Sequence, residues 1–211
     1  MDWNTILQFS EAAISIFALI NPIGGLPTLV GLTEDMGVAQ RRKLLRLAGV
    51  TALGVIVAMA LVGQVLIDKV FRITIDQFAF AGGLVLMITG IRAMVGGGFA
   101  KRAQTSDPAT RRDEEISLAV SPIAMPLLVG PGSIVNVMLI SQHNGRVFAV
   151  LACLAAFVFV ILILNYSHLL YRVMGRVGSL AVGRVLQIFI VAIGVKFAFV
   201  ALGRIFPGLL H

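Results

Sequence analysis

Residues 47–67 read Leu-Ala-Gly-Val-Thr-Ala-Leu-Gly-Val-Ile-Val-Ala-Met-Ala-Leu-Val-Gly-Gln-Val-Leu-Ile and lie between Arg46 and Asp68 without a charge. About 20 apolar residues in a helix cross the ~30 Å of a bilayer's hydrocarbon, so this run is long enough to span a membrane. The stretches between Glu11 and Glu34 and between Arg146 and Arg172 are also free of Asp, Glu, Lys and Arg, and so is 116–145. Two further apolar stretches, about 77–97 and 180–206, carry Arg92 near the end of one and Lys196 inside the other. Six transmembrane helices are predicted. The whole chain agrees: of 211 residues, 58% are hydrophobic and 13% charged, with a mean hydropathy of +0.98. A soluble domain carries about 25% charged residues, and none of this size can hide so much apolar surface.

The same arithmetic excludes several function classes. Cys153 is the single cysteine and sits in an apolar run, so no disulfide forms within the chain and no cysteine-based metal site exists. His143, His168 and His211 are scattered without metal-binding spacing, and neither a metal nor another cofactor is expected. The net charge of +7 does not signal nucleic acid, because the bases sit in short loops beside spans. The first apolar run follows Asp2 with no Lys or Arg before it, unlike a signal peptide, and is retained as helix 1. If the N-terminus is outside, the inner loops hold Arg41, Arg42, Lys43, Arg46, Lys101, Arg102, Arg111, Arg112, Arg172, Arg176 and Arg184. Only Lys69, Arg72, Arg146 and Arg204 fall outside, so both termini are expected on the outer, periplasmic side.

An internal repeat organises these helices. Asn21-Pro22-Ile23-Gly24-Gly25-Leu26-Pro27 in helix 1 is echoed by Ser121-Pro122-Ile123-Ala124-Met125-Pro126 in helix 4, about 100 positions later. Gly90-Ile91-Arg92 in helix 3 is echoed by Gly194-Val195-Lys196 in helix 6, 104 positions later. A three-helix unit is followed by a copy of opposite orientation, the construction of many secondary transporters. The chain therefore reads as one transmembrane domain, 1–211: a first repeat over about 1–97, a cytoplasmic linker over about 98–115 and a second repeat over about 116–211.

Prolines break helices 1 and 4. Each removes an amide donor and frees the carbonyl four residues back, and in lipid no water repairs the loss. Pro22 and Pro27 free Ala18 and Ile23, with Gly24 and Gly25 between them; Pro122, Pro126 and Pro131 do the same in helix 4, with Gly130 and Gly132 beside the last. Open amides near Thr28, Ser133 and Ile134 suit a carboxylate, and open carbonyls suit an ammonium or a cation. Asn21 and Ser121 add side-chain donors and acceptors, and Asn136 lies one turn beyond Ser133. A zwitterionic amino acid matches both chemistries. The plain alternative is that these prolines and glycines only kink and pack the helices.

These motifs, together with Pro126-Leu127-Leu128-Val129-Gly130-Pro131-Gly132-Ser133-Ile134 and the Ala81-Gly82-Gly83 that opens helix 3, resemble those of the MarC family of bacterial inner-membrane proteins. The family is also called the SnatA family of small neutral amino acid transporters. The resemblance covers essentially the whole chain. It implies six transmembrane helices in two inverted repeats, kinship with LysE-type exporters, an inner-membrane location and transport of glycine, alanine or threonine by alternating access.

The remaining polar residues have two readings each. Arg92 and Lys196 occupy equivalent repeat positions and either snorkel to the headgroups or serve substrate binding or gating. Glu11 is an interfacial carboxylate or an outer gate. With no chain of acids in the spans, proton and sodium coupling both stay open. Thr89, Asn165, Ser167, His168 and Gln187 read as interhelical hydrogen bonds. A channel or exporter for another small solute is the alternative within transport. Outside it stands an intramembrane serine hydrolase, with Ser133 as nucleophile and His168 as base; Ile134 after Ser133, where a second Gly would be expected, argues against that, and no enzyme activity is expected.

The topology has a direct test. Cysteines introduced at Thr5 and Leu209 in a Cys153→Ala background are expected to react with an impermeant maleimide on intact cells, while one at Ser106 stays protected. The opposite pattern reverses the orientation.

Overall fold

In the computed structural model, which describes residues 3–33, 36–95 and 128–206, all regular structure is helical and no strand occurs among those residues. The order is α1 (Trp3–Ile20), α2 (Leu26–Leu32), α3 (Val38–Val65) running into a π-helical turn (Leu66–Phe71), α4 (Ile75–Met94), α5 (Pro131–Asn144), α6 (Arg146–Asn165) and α7 (Ser167–Ile205). Five segments are long and apolar enough to cross a membrane: Trp3–Ile20, Val38–Phe71, Ile75–Met94, Arg146–Asn165 and Val177–Ile205. Of the expected helix 4, the described part is the 14-residue α5. The remainder, with Ser121, Pro122 and Pro126, lies outside the described residues. Large apolar side chains such as Leu151, Val158, Phe159, Ile188 and Phe189 cover the outside, as a bundle solvated by lipid requires.

Two boundaries differ from the sequence reading. The uncharged run 146–172 is not one helix: α6 stops at Asn165, and α7 starts at Ser167. The bases Arg172 and Arg184 then sit on α7, not in an open loop. That helix is interrupted at Gly175, whose φ of 65° and ψ of 178° lie outside helical geometry and favour a residue without a Cβ. Charges alone delimit apolar runs and are blind to breaks within them. At the start of α4, by contrast, a capping box closes the helix: Gln77 N donates to Thr74 Oγ1 at 3.2 Å and Thr74 N donates to Gln77 Oε1 at 3.0 Å.

α3 and α6 form the main core, and their buried faces correspond. Leu45, Ala48, Gly49, Ala52, Ile56 and Ala60 are buried on α3; each residue 104 positions later, Ala149, Ala152, Cys153, Ala156, Val160 and Leu164, is buried on α6. The two helices run antiparallel, because Gly49 near the start of α3 faces Ile161 and Leu164 near the end of α6. Arg46 Nε donates to Asn165 Oδ1 at 2.9 Å at the same end, and Ser141 Oγ on α5 donates to the Ala60 carbonyl at 2.7 Å.

The second pair, α4 and α7, meets backbone to backbone. A Cβ built on Gly83 would lie 2.6 Å from the Gly194 carbonyl oxygen, and one on Gly194 would lie 2.8 Å from the Gly83 carbonyl oxygen. Farther along, a Cβ on Gly90 would meet Val191 Cγ2 at 2.4 Å and Gln187 Nε2 at 3.6 Å. Gln187 stands 104 positions after Gly83, and Gly194 stands 104 after Gly90. The contacts Gly83 with Gly194 and Gly90 with Gln187 are thus exchanged by one offset of 104.

The crossing admits no side chain. Gly83→Ala is expected to cost about 1 to 3 kcal/mol, the usual penalty of overpacking. Gly54→Ala, at a position with nothing within 4 Å, should leave stability unchanged or gain up to ~1 kcal/mol of helix propensity. Thermal unfolding of both variants in detergent measures the difference.

Candidate functional site

The first break lies between α1 and α2. Pro22 has no N–H to give the Ala18 carbonyl, and the chain turns at Asn21, which adopts a left-handed φ of 47°. Asparagine tolerates this region because its carboxamide can bond its own turn. Here Asn21 Oδ1 accepts from Gly24 N at 3.0 Å, while Gly25 N donates to the Asn21 carbonyl at 3.2 Å and Leu26 N to the Ile23 carbonyl at 3.1 Å. The Ile23 carbonyl, expected to be open below Pro27, is therefore occupied, since a tight turn supplies the donor that the helix lacks. α2 then starts with Gly25 as N-cap and Pro27 in its first turn. Thr28 follows, half-buried.

The second break precedes α5. Gly130 is extended, with φ −86° and ψ 163°, and Pro131 occupies the first turn, where its missing donor is not needed. The amides of Ser133 and Ile134 were expected to face a ligand. Both instead point to the Gly130 carbonyl, at 3.1 and 3.3 Å, which also accepts Ser133 Oγ at 2.8 Å. A single carbonyl at the N-cap thus takes up the amides of both Ser133 and Ile134. Asn136, one turn on, ties α5 to α1: its Nδ2 donates to Ser15 Oγ at 2.9 Å.

The first break rests on α7 and the second on α4. At the first, Gly24 Cα lies 3.2 Å from where a Cβ on Gly183 would stand, and Asn21 Nδ2 donates to Gln187 Oε1 at 3.4 Å; both partners are on α7. At the second, a Cβ on Gly132 would meet Leu86 Cδ2 at 2.1 Å and one on Gly82 would meet Val135 Cγ2 at 2.3 Å, which joins α5 to α4. Leu19 at the end of α1, Leu86 on α4 and Ile190 on α7 form one buried cluster between them. The space expected beside Gly24 and Gly132 is accordingly filled, by the Asn21 carboxamide in one case and by Leu86 in the other.

The model of MarC family integral membrane proteins matches residues 6–206. The chain belongs to the MarC family. Its relatives include a UPF0056 membrane protein of Archaeoglobus fulgidus, 33% identical over 204 residues that cover 94% of each chain. Another, from Methanocaldococcus jannaschii, is 31% identical over 195 residues, 90% of this chain and 92% of the relative. The UPF0056 membrane protein YhcE of Escherichia coli K12 is 27% identical over 202 residues, 94% of this chain and 93% of its own. No solved structure matches. This MarC family member is thus a multi-pass integral membrane protein.

The other residues singled out in this MarC chain lie apart from the breaks. Glu11 sits in the middle of α1 and is exposed; Arg92 and Lys196 are exposed on α4 and α7, away from the Gly83–Gly194 crossing. Ser133 is fully buried with its hydroxyl on Gly130, whereas His168 is exposed at the start of α7. Two residues escaped the sequence reading as parts of this site, Gly183 and Gln187. Gln187 carried a signal, being a carboxamide in an apolar span, but nothing local pointed it at Asn21.

The Asn136–Ser15 bond predicts a measurable coupling. Asn136→Ala is expected to lose about 0.5 to 1.5 kcal/mol, the net value of one hydrogen bond, because Ser15 Oγ keeps its own donation to the Ala12 carbonyl. A double-mutant cycle with Ser15→Ala should return roughly 0.6 kcal/mol of interaction, the average for membrane interiors.

Proposed function

We propose that this chain is a transporter that moves small neutral amino acids of the glycine, alanine and threonine class across the cytoplasmic membrane by alternating access. The observation that carries the reading is the pair of broken helices, each set against the last helix of the opposite half. Secondary transporters built as inverted repeats place their sites at such discontinuous helices. Non-helical backbone at membrane depth is tolerated where protein buries it or a cavity adjoins it, and duplicating it in both halves favours the second reason.

The proposal includes six spans in two inverted halves, about 1–97 and 116–211, with a cytoplasmic linker between them and both termini outside. One offset of 104 supports it. That offset aligns Pro22 with Pro126, Pro27 with Pro131, Gly90 with Gly194 and Arg92 with Lys196, and it aligns the buried faces of α3 and α6. It replaces the pairing of Pro22 with Pro122 and needs no insertion. The antiparallel course of both pairs supports the inversion. An enzyme reading draws no support from Ser133, whose hydroxyl is bound to a backbone carbonyl.

The test is radiolabelled glycine, alanine and threonine flux in proteoliposomes, with and without imposed proton or sodium gradients. Gly24→Leu and Gly132→Leu are poor probes, because their Cβ atoms collide with Asn21 and Leu86. Gly130→Leu is the better one: among the described residues a Cβ there meets nothing within 4 Å, and its φ suits any residue. Gly130→Leu is expected to keep the parent's melting temperature and to lower flux by about tenfold or more. Gly31→Leu, equally open but on the exposed side of α2, should stay within about twofold. A parent that moves none of the three above protein-free liposomes overturns the reading.

A further inference from the structure

We infer that Gln187 determines the specificity of this site, its side-chain amide donating to the carboxylate of the transported amino acid; the inference rests on the transport reading above. The geometry starts at Gly183. Lacking a Cβ, it lets the Gly24 backbone settle on α7. Gln187 lies one helical turn further on the same face, half-buried, and reaches the Asn21 turn.

The orientation of the Gln187 amide follows from chemistry. Gly24 N–H must meet an acceptor, so Asn21 presents Oδ1 to the turn and Nδ2 to α7. Gln187 must then present Oε1 to Asn21. Its Nε2, with two N–H groups, is left facing away and makes no hydrogen bond among the described residues. On the α4 side a Cβ at Gly90 would stand 3.6 Å from Nε2, with Val191 Cγ2 beside it, and neither residue offers a polar side chain. Gln187 is half-buried, and no sealed-in side-chain nitrogen or oxygen lacks a partner among the described residues, so this amide keeps accessible surface for a ligand, and an anionic oxygen is its strongest partner.

Two further features select a small zwitterion. On the α1 side of the same turn, the Ala18 carbonyl receives nothing from Pro22, so an acceptor for an ammonium accompanies the donor for a carboxylate. A Cβ on Gly90, 3.6 Å from the amide, would already meet Val191 Cγ2 at 2.4 Å, so the space beside the amide has no reach for a large side chain. The donor belongs to one half only, because the position equivalent to Gln187 in the first half is Gly83. The site is therefore polar on one side of an otherwise matched pair of helices.

The experiment compares alanine with alaninamide, which lacks the carboxylate, as competitors of labelled glycine uptake into proteoliposomes. The parent is expected to prefer alanine. Gln187→Met, of similar volume but without a donor, is expected to raise KM for alanine about tenfold, to keep maximal flux within about threefold and to bring the alanine-to-alaninamide preference close to one. Gln187→Asn, a shorter carboxamide, should recover part of the preference, and it stands in for Gln187→Met should that variant fail to insert. A purely structural role lowers melting temperature or maximal flux and leaves KM and the preference unchanged; that result overturns the inference. Retained preference with intact flux in Gln187→Met overturns it as well while leaving transport standing. A parent without amino acid flux removes the transport reading itself.

Discussion

α4 and α7 touch through their backbones, and the rest of the arrangement depends on that contact. In lipid no hydrophobic force draws helices together, so association relies on close packing, and small residues allow it. Gly83 and Gly194 bring the two carbonyl-bearing surfaces within the space one methyl group would need. Because the crossing has no side chain to adjust, it fixes which residues of each helix remain for the breaks: Gly183 and Gln187 of α7 for the first, Gly82 and Leu86 of α4 for the second.

The breaks themselves show how few polar groups a membrane interior leaves open. Prolines at 22, 27 and 131 forbid regular helix, yet the amides of Gly24, Gly25, Leu26, Ser133 and Ile134 find partners within three or four residues, at the Asn21 carboxamide, the Asn21 and Ile23 carbonyls and the Gly130 carbonyl. This local repair narrows the chemistry available to a ligand. Against these local repairs the amide of Gln187 stands out as a side-chain donor that no described residue accepts.

Much of the fold was legible from sequence because lipid imposes a simple rule: charges mark the ends of apolar runs, and helices fill them. Five such segments appear as spans, and Pro22, Pro27, Gly130 and Pro131 do mark irregular backbone. Legibility failed where the deciding fact was a backbone angle or a distant partner. Asn165 and Tyr166 end α6 inside a run with no charge to announce it. Pro22 had two possible counterparts, Pro122 and Pro126, and the matched burial of α3 and α6, at the offset of 104 that also relates Gly90 to Gly194, favours the second. The amides of Ser133 and Ile134 looked open because sequence counts donors lost to proline but not acceptors gained from a turn. Gln187 sits 166 positions from Asn21, beyond any local pattern.

The length of α7 carries a consequence of another kind. Its membrane segment, Val177–Ile205, has 29 residues, or about 43 Å of helix, against ~30 Å of hydrocarbon. Such an excess is taken up by tilt, by local thickening or by projecting ends. Here tilt is not a private matter of α7: α4 lies on it backbone to backbone where Gly83 meets Gly194, with no side chain at that point to absorb shear. A thinner bilayer that lays α7 over must carry α4 with it, and with them the surfaces on which both breaks rest. Membrane thickness thereby acts on the centre of the molecule through its longest helix.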